Sequence, residues 1–454
     1  MNFLKTHQNA ILFSITIIIF FAFCFTLLYR LGVHPMIDWD ESIYGQIAKD
    51  SLQNKNLLNF AYFGKAWYEK PPLGLWLVSA SYAIGGINDW SARIPSALGA
   101  IAMVALSMRW VWELRKSYIA VILTIASYFI MFPFITAAYF LNLDTIVGFF
   151  VLFSLYSWWK AKNDHTWYLF FGLGIGLGVL TKNVVGLFPI IPILIHSLFG
   201  WDFSFLKEKK FWYGVLISGV VILPWHIYQS VVVGKAFWDN YLFYHVFQRY
   251  STSLESNGAP FLYFFDIVFL RYYLALVIFG GSVLVSVYYS LKNLGLRFIL
   301  ICAVSLFLVF SSSITKLPSY ITMTLPLIVM IAGISLANII GLAPKKWMRT
   351  LVVAILILSF VYTGYAFNTY KLAQGEYAEQ YLDNRAVGEF LRNYRTDLPV
   401  YTNFPYLNLG IGYYANRKVI QITDTEMIGK ATERVFHTKN QSVFLGENYL
   451  VIKR

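Results

Sequence analysis

Residues 36–50, MIDWDESIYGQIAKD, crowd three carboxylates, Asp38, Asp40 and Glu41, just after a strongly apolar run. A carboxylate beside hydrocarbon is costly, so such groups face water, a partner or a substrate. At the start of a helix over 40–53, Asp40 gains about 0.3–1 kcal/mol from the helix dipole, so plain capping competes with a chemical role. As a base, the same carboxylate takes a proton from a hydroxyl. WYEKPPLG adds Glu69 and Lys70 before a Pro-Pro pair, whose fixed backbone directs both side chains. NYLFYHVFQRYS puts His245 and Arg249 on one helical face. Histidine is the commonest metal ligand, and arginine forks onto phosphate. Asp144 in YFLNLDT, Lys182 in VLTKNVVG, and Lys316 with Tyr320 in ITKLPSYI complete the set. Each has an ordinary reading too: a surface ion pair, a cap, or a lysine snorkelling to the interface.

The elements that must position these residues are apolar. The chain of 454 residues is 58% hydrophobic and 13% charged, against about 25% charged in a soluble domain, which makes it a polytopic membrane protein. Its net charge of +13 lies mainly in short loops between apolar runs, so it signals topology and excludes nucleic acid as a partner. The two cysteines, Cys24 and Cys302, sit inside apolar runs and provide neither a disulfide framework nor metal-ligand spacing. The N-terminal run, NAILFSITIIIFFAFCFTLLYR, is too long for a signal peptide and lacks a cleavage site, so it is expected to remain as the first span.

A span needs about 20 apolar residues, and candidates fall near 11–29, 93–112, 118–137, 143–159, 168–181, 184–199, 211–229, 271–290, 297–313, 319–341 and 350–368, about eleven in all. With the N-terminus inside, Arg115/Lys116, Lys160/Lys162, Lys207/Lys209/Lys210, Lys292/Arg297 and Lys345/Lys346/Arg349 all fall on the cytoplasmic side. The opposite side then holds residues 30–92, the loop 230–270 and the tail. Residues 1–370 are expected to form the membrane domain, with interfacial helices in 30–92. Residues 371–454 are expected to form a small α/β domain, because RAVGEFLRNYRTDLPVYTNF reads as a helix and a strand, and RKVIQIT, SVFLGE and NYLVIKR read as strands. All the candidate residues converge on one membrane face, as a site for an anionic, lipid-linked substrate would require.

DWDESIYGQIAKD, WYEKPPLGLWL with ARIPSALGA after it, YFLNLD, LTKN, YHVFQRY and KLPSYI stand in the order found in GT-C glycosyltransferases. The chain most resembles the protein O-mannosyltransferase-like branch that includes lipid A aminoarabinose transferase. The resemblance implies an enzyme of the bacterial inner membrane that takes a sugar from a polyprenyl-phosphate carrier, with inversion. The acceptor would be lipid A, another glycolipid or a protein hydroxyl on the periplasmic face. It implies Asp40 as catalytic base, with Glu41 and Asp144 beside it. Lys70, Arg249, Lys182, Lys316 and Tyr320 would bind substrate, and Glu69 and His245 would be the candidate ligands of a divalent metal ion.

The residues suit that chemistry: displacement at the sugar carbon needs a base for the acceptor oxygen and cations for the departing phosphate. No nucleotide cofactor is expected, because GLGIGLGVL from Gly172 lies within a span and reads as small-residue helix packing. The rival readings are a transporter or flippase for a lipid-linked sugar, which calls for charges at the membrane midplane, a ligase with a lipid-diphosphate donor, and a sensor.

Overall fold

An unbroken apolar run makes α1 (Asn2–Leu28), which presents Ile11, Ile18, Phe21 and Phe25 outward. The computed structural model describes residues 2–29, 31–37, 39–254, 257–270, 276–291, 293–342, 383–402, 408–422, 425–438, 441–446 and 449–453, with the single residues 345, 347, 351 and 358. Asp38, Lys292, Lys346, Arg349, most of the expected span 350–368 and the expected boundary near 370 lie outside the described residues.

Segment 31–92 holds α2 (Asp40–Gln53), the hairpin β1 (Ala61–Tyr62) and β2 (Lys65–Ala66), and α3 (Pro72–Gly85). Pro71 and Pro72 start α3, where a missing N–H costs nothing. The Asn88 side chain accepts the Ser91 amide and opens α4 (Asp89–Arg115); Lys116, at φ 49, closes it. Ser117 then caps α5 (Tyr118–Phe129).

The expected single span 118–137 is bent. α5 and α6 (Phe132–Tyr139) meet at 68°, because Pro133 has no amide to continue the first helix. Next come α7 (Asp144–Ala161) and α8 (Trp167–Lys182). Asn183, at φ 45, breaks α8 into a 3-10 turn, Asn183–Leu187. The expected span 184–199 reduces to that turn and α9 (Ile190–Gly200). Eleven residues rise only about 16 Å, too little for a hydrocarbon core of about 30 Å. α10 (Lys209–Val232) packs backbone to backbone on α8, where a Cβ on Gly172 would strike the Gly214 carbonyl. The glycine run is a packing surface.

Among the described residues, five helices are long and apolar enough to cross a membrane, and the bent pair makes six. Shorter apolar helices include Pro72–Gly85, Ile190–Gly200, Ile278–Ser290 and Leu325–Gly341. α10 exposes Leu216, Val220, Leu223, Ile227 and Val231 at helical spacing, the lipid-facing stripe of a multi-pass membrane protein.

The bundle has two unlike ends. One carries the basic loops, where Glu113 takes Arg109 and Lys160, and His165 meets Glu208. The other carries α2, α3, the starts of α4 and α7, and a five-stranded sheet. The sheet, in order β4 (Val419–Gln421), β3 (Val400–Thr402), β7 (Leu450–Lys453), β6 (Ser442–Leu445), β5 (Glu433–His437), is parallel around β3 and antiparallel beyond β7. Helix 383–393 covers it through Val387 and Leu391. The short helix Asn408–Ala415 and strand β5 had no counterpart in the sequence reading. This unit docks on the bundle: the Tyr414 hydroxyl accepts from the Met36 amide (2.7 Å) and donates to Asp89 (2.5 Å), which also binds Arg385 (2.5 Å).

Candidate active site

α2 is anchored at its first turn by a buried ion pair. Glu41 takes Arg93 Nε on Oε1 at 2.7 Å and Nη2 on Oε2 at 2.8 Å. Its other lone pairs accept the Leu141 amide (2.8 Å) and the Ile37 amide (2.9 Å). A carboxylate accepts about four hydrogen bonds, so Glu41 has none left for a substrate. Its expected catalytic place is corrected: it is a structural anchor. Arg93, 0% exposed, spends its other donors on the Leu31, His34 and Pro35 carbonyls.

Asp40, one position earlier, is different. It is half-buried, and its carboxylate has no hydrogen-bond donor among the described residues. It is also not the cap, because Trp39 holds that position with φ 69 and ψ −129, a region that a bulky side chain rarely enters. Such strain, of order 1–3 kcal/mol, persists only where surrounding contacts impose it. Here they do: Glu41 grips Ile37, Ser42 Oγ donates to the Ile37 carbonyl (2.5 Å), and the Ile43 amide donates to Trp39 (2.9 Å). The Asp40 charge acts on Lys70, Lys182 and Tyr320.

Those three residues line a cavity of 290 Å³ at the helix ends, together with Asp144, His245 and Arg249. The end of α8 supplies Lys182, whose Nζ lies 2.6 Å from Asp144 Oδ1 and 4.9 Å from the centre of the Tyr320 ring. Asp144 Oδ2, buried, has no partner among the described residues. A π-helical segment, Asp239–Gln248, carries His245, and Arg249 follows it. Arg249 Nη1 donates to the Tyr320 hydroxyl at 3.2 Å. Lys70 precedes α3 and is buried; desolvation pulls its ammonium pKa down, and Glu69 and Asp40 pull it back up. Val184, Val185, Phe188, Phe247, Val309 and Phe310 form apolar walls. The result is an apolar corridor ending on Lys70, Lys182 and Arg249, with Asp144 as the offsetting charge.

Glu69 Oε2 lies 3.9 Å from His245 Nε2 and 3.9 Å from Lys70 Nζ. Burial and the neighbouring Lys70 and Arg249 push the His245 pKa down to about 3, so its imidazole is neutral, as a metal ligand must be. No third His, Cys, Asp or Glu joins them among the described residues, so the pair fits only a site completed by substrate or water. Lys316 does not join the site. Its Nζ donates to the Ala259 carbonyl (2.9 Å) and to the Ser313 carbonyl, and its amide binds Asn257. It ties 313–316 to Asn257 and Ala259, outside the lining of the cavity.

The profile of the family described as dolichyl-phosphate-mannose-protein mannosyltransferase matches residues 69–228. Undecaprenyl phosphate-alpha-4-amino-4-deoxy-L-arabinose arabinosyl transferase of Wigglesworthia glossinidia brevipalpis is 29% identical, over 69% of this chain and 56% of that protein. The enzyme of the same name from Photorhabdus laumondii is 28% identical, over 66% and 56%. ArnT from Cupriavidus metallidurans, solved with undecaprenyl phosphate bound, superposes at a TM-score of 0.75, covering 93% of this chain and 88% of that one at 17% identity. The chain shares the fold of that enzyme. The archaeal oligosaccharyltransferase AglB from Archaeoglobus fulgidus shares the fold at a TM-score of 0.59, over 91% of this chain and 64% of that one at 12% identity. The match covers little more than half the length of the curated relatives.

Sequence reasoning passed over Arg93 and Trp39. Arg93 had a signal: a lone cation in ARIPSALGA, inside apolar surroundings, needs a buried anion. Trp39 had none, because nothing in its residue type announces the left-handed backbone that the local bonds among Ile37, Glu41, Ser42 and Ile43 impose.

Proposed function

We propose that the chain moves a sugar from a polyprenyl-phosphate carrier to a hydroxyl or phosphate oxygen of a membrane glycolipid at the periplasmic face of a bacterial inner membrane. The observation that carries the reading is the cavity: apolar walls for a prenyl chain end on three cations, with the open Asp40 carboxylate acting on two of them. Asp40 takes the acceptor proton as the acceptor oxygen attacks the anomeric carbon from the face opposite the phosphate, which inverts that centre. The bond from carbon to phosphate oxygen breaks, and the carrier leaves as a phosphomonoester. Its charge grows from one to about two in the process, so Lys70 and Arg249 hold the departing group more tightly than the bound donor.

A divalent metal between Glu69 and His245 would add charge neutralisation at the same phosphate. The charges at helix ends, away from the bundle's middle, favour transfer over transport. The names of the relatives suggest an aminoarabinose donor and lipid A as acceptor. The test is transfer from purified polyprenyl-phosphate sugars to lipid A in detergent, read by mass spectrometry. A mass gain on the acceptor is expected; carrier movement across a vesicle with no mass gain overturns the reading.

A further inference from the structure

A second cavity, 510 Å³, lies away from the first, at the seam between segment 31–92 and the C-terminal unit. Lys49 and Arg392 line it, with Trp90, Tyr413, Arg385 and Asp89. Lys49 stands nine residues beyond Asp40 on α2, two and a half turns, and therefore on the opposite face of that helix.

The two cations are held by neutral groups. Lys49, 5% exposed, donates to the Tyr413 carbonyl at 2.7 Å and lies 4.6 Å from the centre of that ring. Arg392 gives Nε and Nη2 to the Tyr414 carbonyl at 2.9 and 2.6 Å. Arg385 differs, being neutralised by Asp89. Asp50, beside Lys49, accepts from Gln46 at 2.7 Å. Lys49, buried on a carbonyl, keeps part of its desolvation cost, which an incoming anion relieves, while Arg392 is an exposed cation of the cavity lining. Desolvation pulls the Lys49 pKa down to about 8, with the Asp50 charge opposing it and Arg392 adding to it. Trp90, in the lining, is 46% exposed and of a type enriched at the level of lipid headgroups, and Ile84, on the adjoining end of α3, is an apolar side chain 90% exposed.

We propose that this seam cavity binds the phosphate of a membrane lipid headgroup, with Lys49 and Arg392 as its two cationic contacts. The site joins a lipid to both the bundle and the C-terminal unit. It stands whether or not the transfer reading does.

The test is native mass spectrometry of the full chain in detergent, titrated with phosphatidylglycerol, phosphatidylcholine or inorganic phosphate. Phosphatidylglycerol is expected to bind best. Lys49→Gln with Arg392→Gln should weaken it roughly ten- to hundredfold, the scale of one or two charge-assisted contacts, while undecaprenyl phosphate binding stays unchanged. Unaltered phosphatidylglycerol affinity, or equal loss of both lipids, overturns the proposal. Displacement of the lipid by equimolar inorganic phosphate would reassign the site to a soluble anion and overturn the lipid assignment. If the double variant does not fold, Glu389→Gln decides, because it removes an exposed anion from the cavity lining. Tighter phosphatidylglycerol binding supports the site, and unchanged or weaker binding sinks it.

Discussion

Arg93 and Glu41 meet in a two-point ion pair, at 2.7 and 2.8 Å, with neither side chain more than 1% exposed. The pair ties α4 to α2, and its remaining hydrogen bonds reach Leu31, His34, Pro35, Ile37 and Leu141. Three backbone segments therefore converge on one charge pair, directly beside Asp40. A structural anchor of this kind fixes where the neighbouring carboxylate points.

Removing one partner leaves an uncompensated buried charge, which costs about 3–5 kcal/mol. Arg93→Met should therefore abolish recovery of folded protein or lower its thermal midpoint sharply in detergent. Arg93→Met with Glu41→Met should be milder than either single change, because no lone charge remains. Additive losses in that cycle would show that the two residues act independently.

Arg249 donates to Tyr320 and lines the cavity beside Lys70 and Lys182. Arg249→Ala should weaken polyprenyl-phosphate sugar binding by about ten- to hundredfold, the value of a charge-assisted hydrogen bond, with normal membrane insertion. Tyr320→Phe removes only the neutral partner and should cost less than tenfold, or about 0.5–1.5 kcal/mol. Unchanged donor affinity in Arg249→Ala would remove Arg249 from the phosphate contact.

The seam cavity should respond to pH. The groups around Lys49 are Asp50 on its own helix, Arg385, Glu389 and Arg392 on helix 383–393, and Asp89 at the start of α4. With a pKa of about 8, Lys49 is an ammonium at pH 7 and mostly neutral at pH 9. Anionic lipid binding should therefore fall by up to about tenfold over that interval, since it favours the protonated form. Lys49→Arg, charged throughout, should flatten the profile. An unchanged slope in that variant would exclude Lys49 as the titrating contact.

Composition made the membrane class readable, because 13% charge in 454 residues leaves no soluble alternative. Local spacing also located Asp40, Lys70, Asp144, Lys182, His245 and Arg249, since each sits at a break between apolar runs. The anchoring roles of Glu41 and Lys316 were not legible, because their partners, Arg93 and the Ala259 and Ser313 carbonyls, are settled by tertiary packing. The bend at Pro133 and the break at Asn183 altered two expected spans, because hydropathy measures apolar length and is blind to backbone direction. Strand β5, ERVFH, carries too little apolar alternation to stand out, and its pairing with β6 makes it a strand.

Trp39 holds the cap position and the Asp40 carboxylate accepts no bond from the described residues, so helix capping is not its task. Asn preserves its size and, in the first turn, forfeits only about 0.3–1 kcal/mol of dipole interaction. Asp40→Asn should thus fold, insert and bind donor almost normally. An amide cannot accept the acceptor's proton, and loss of a general base costs about 10²–10⁴ in rate. Turnover at saturating donor should fall by that factor, with donor affinity changed little by comparison. The strained backbone at Trp39 adds a second variant, because Trp39→Gly adopts φ 69 without penalty. That change should hold or raise the thermal midpoint unless the indole itself packs against substrate, which a rise in acceptor KM would reveal. Near wild-type turnover in Asp40→Asn would move the base elsewhere. Asp144, already paired to Lys182 at 2.6 Å, would then have to release that lysine to serve.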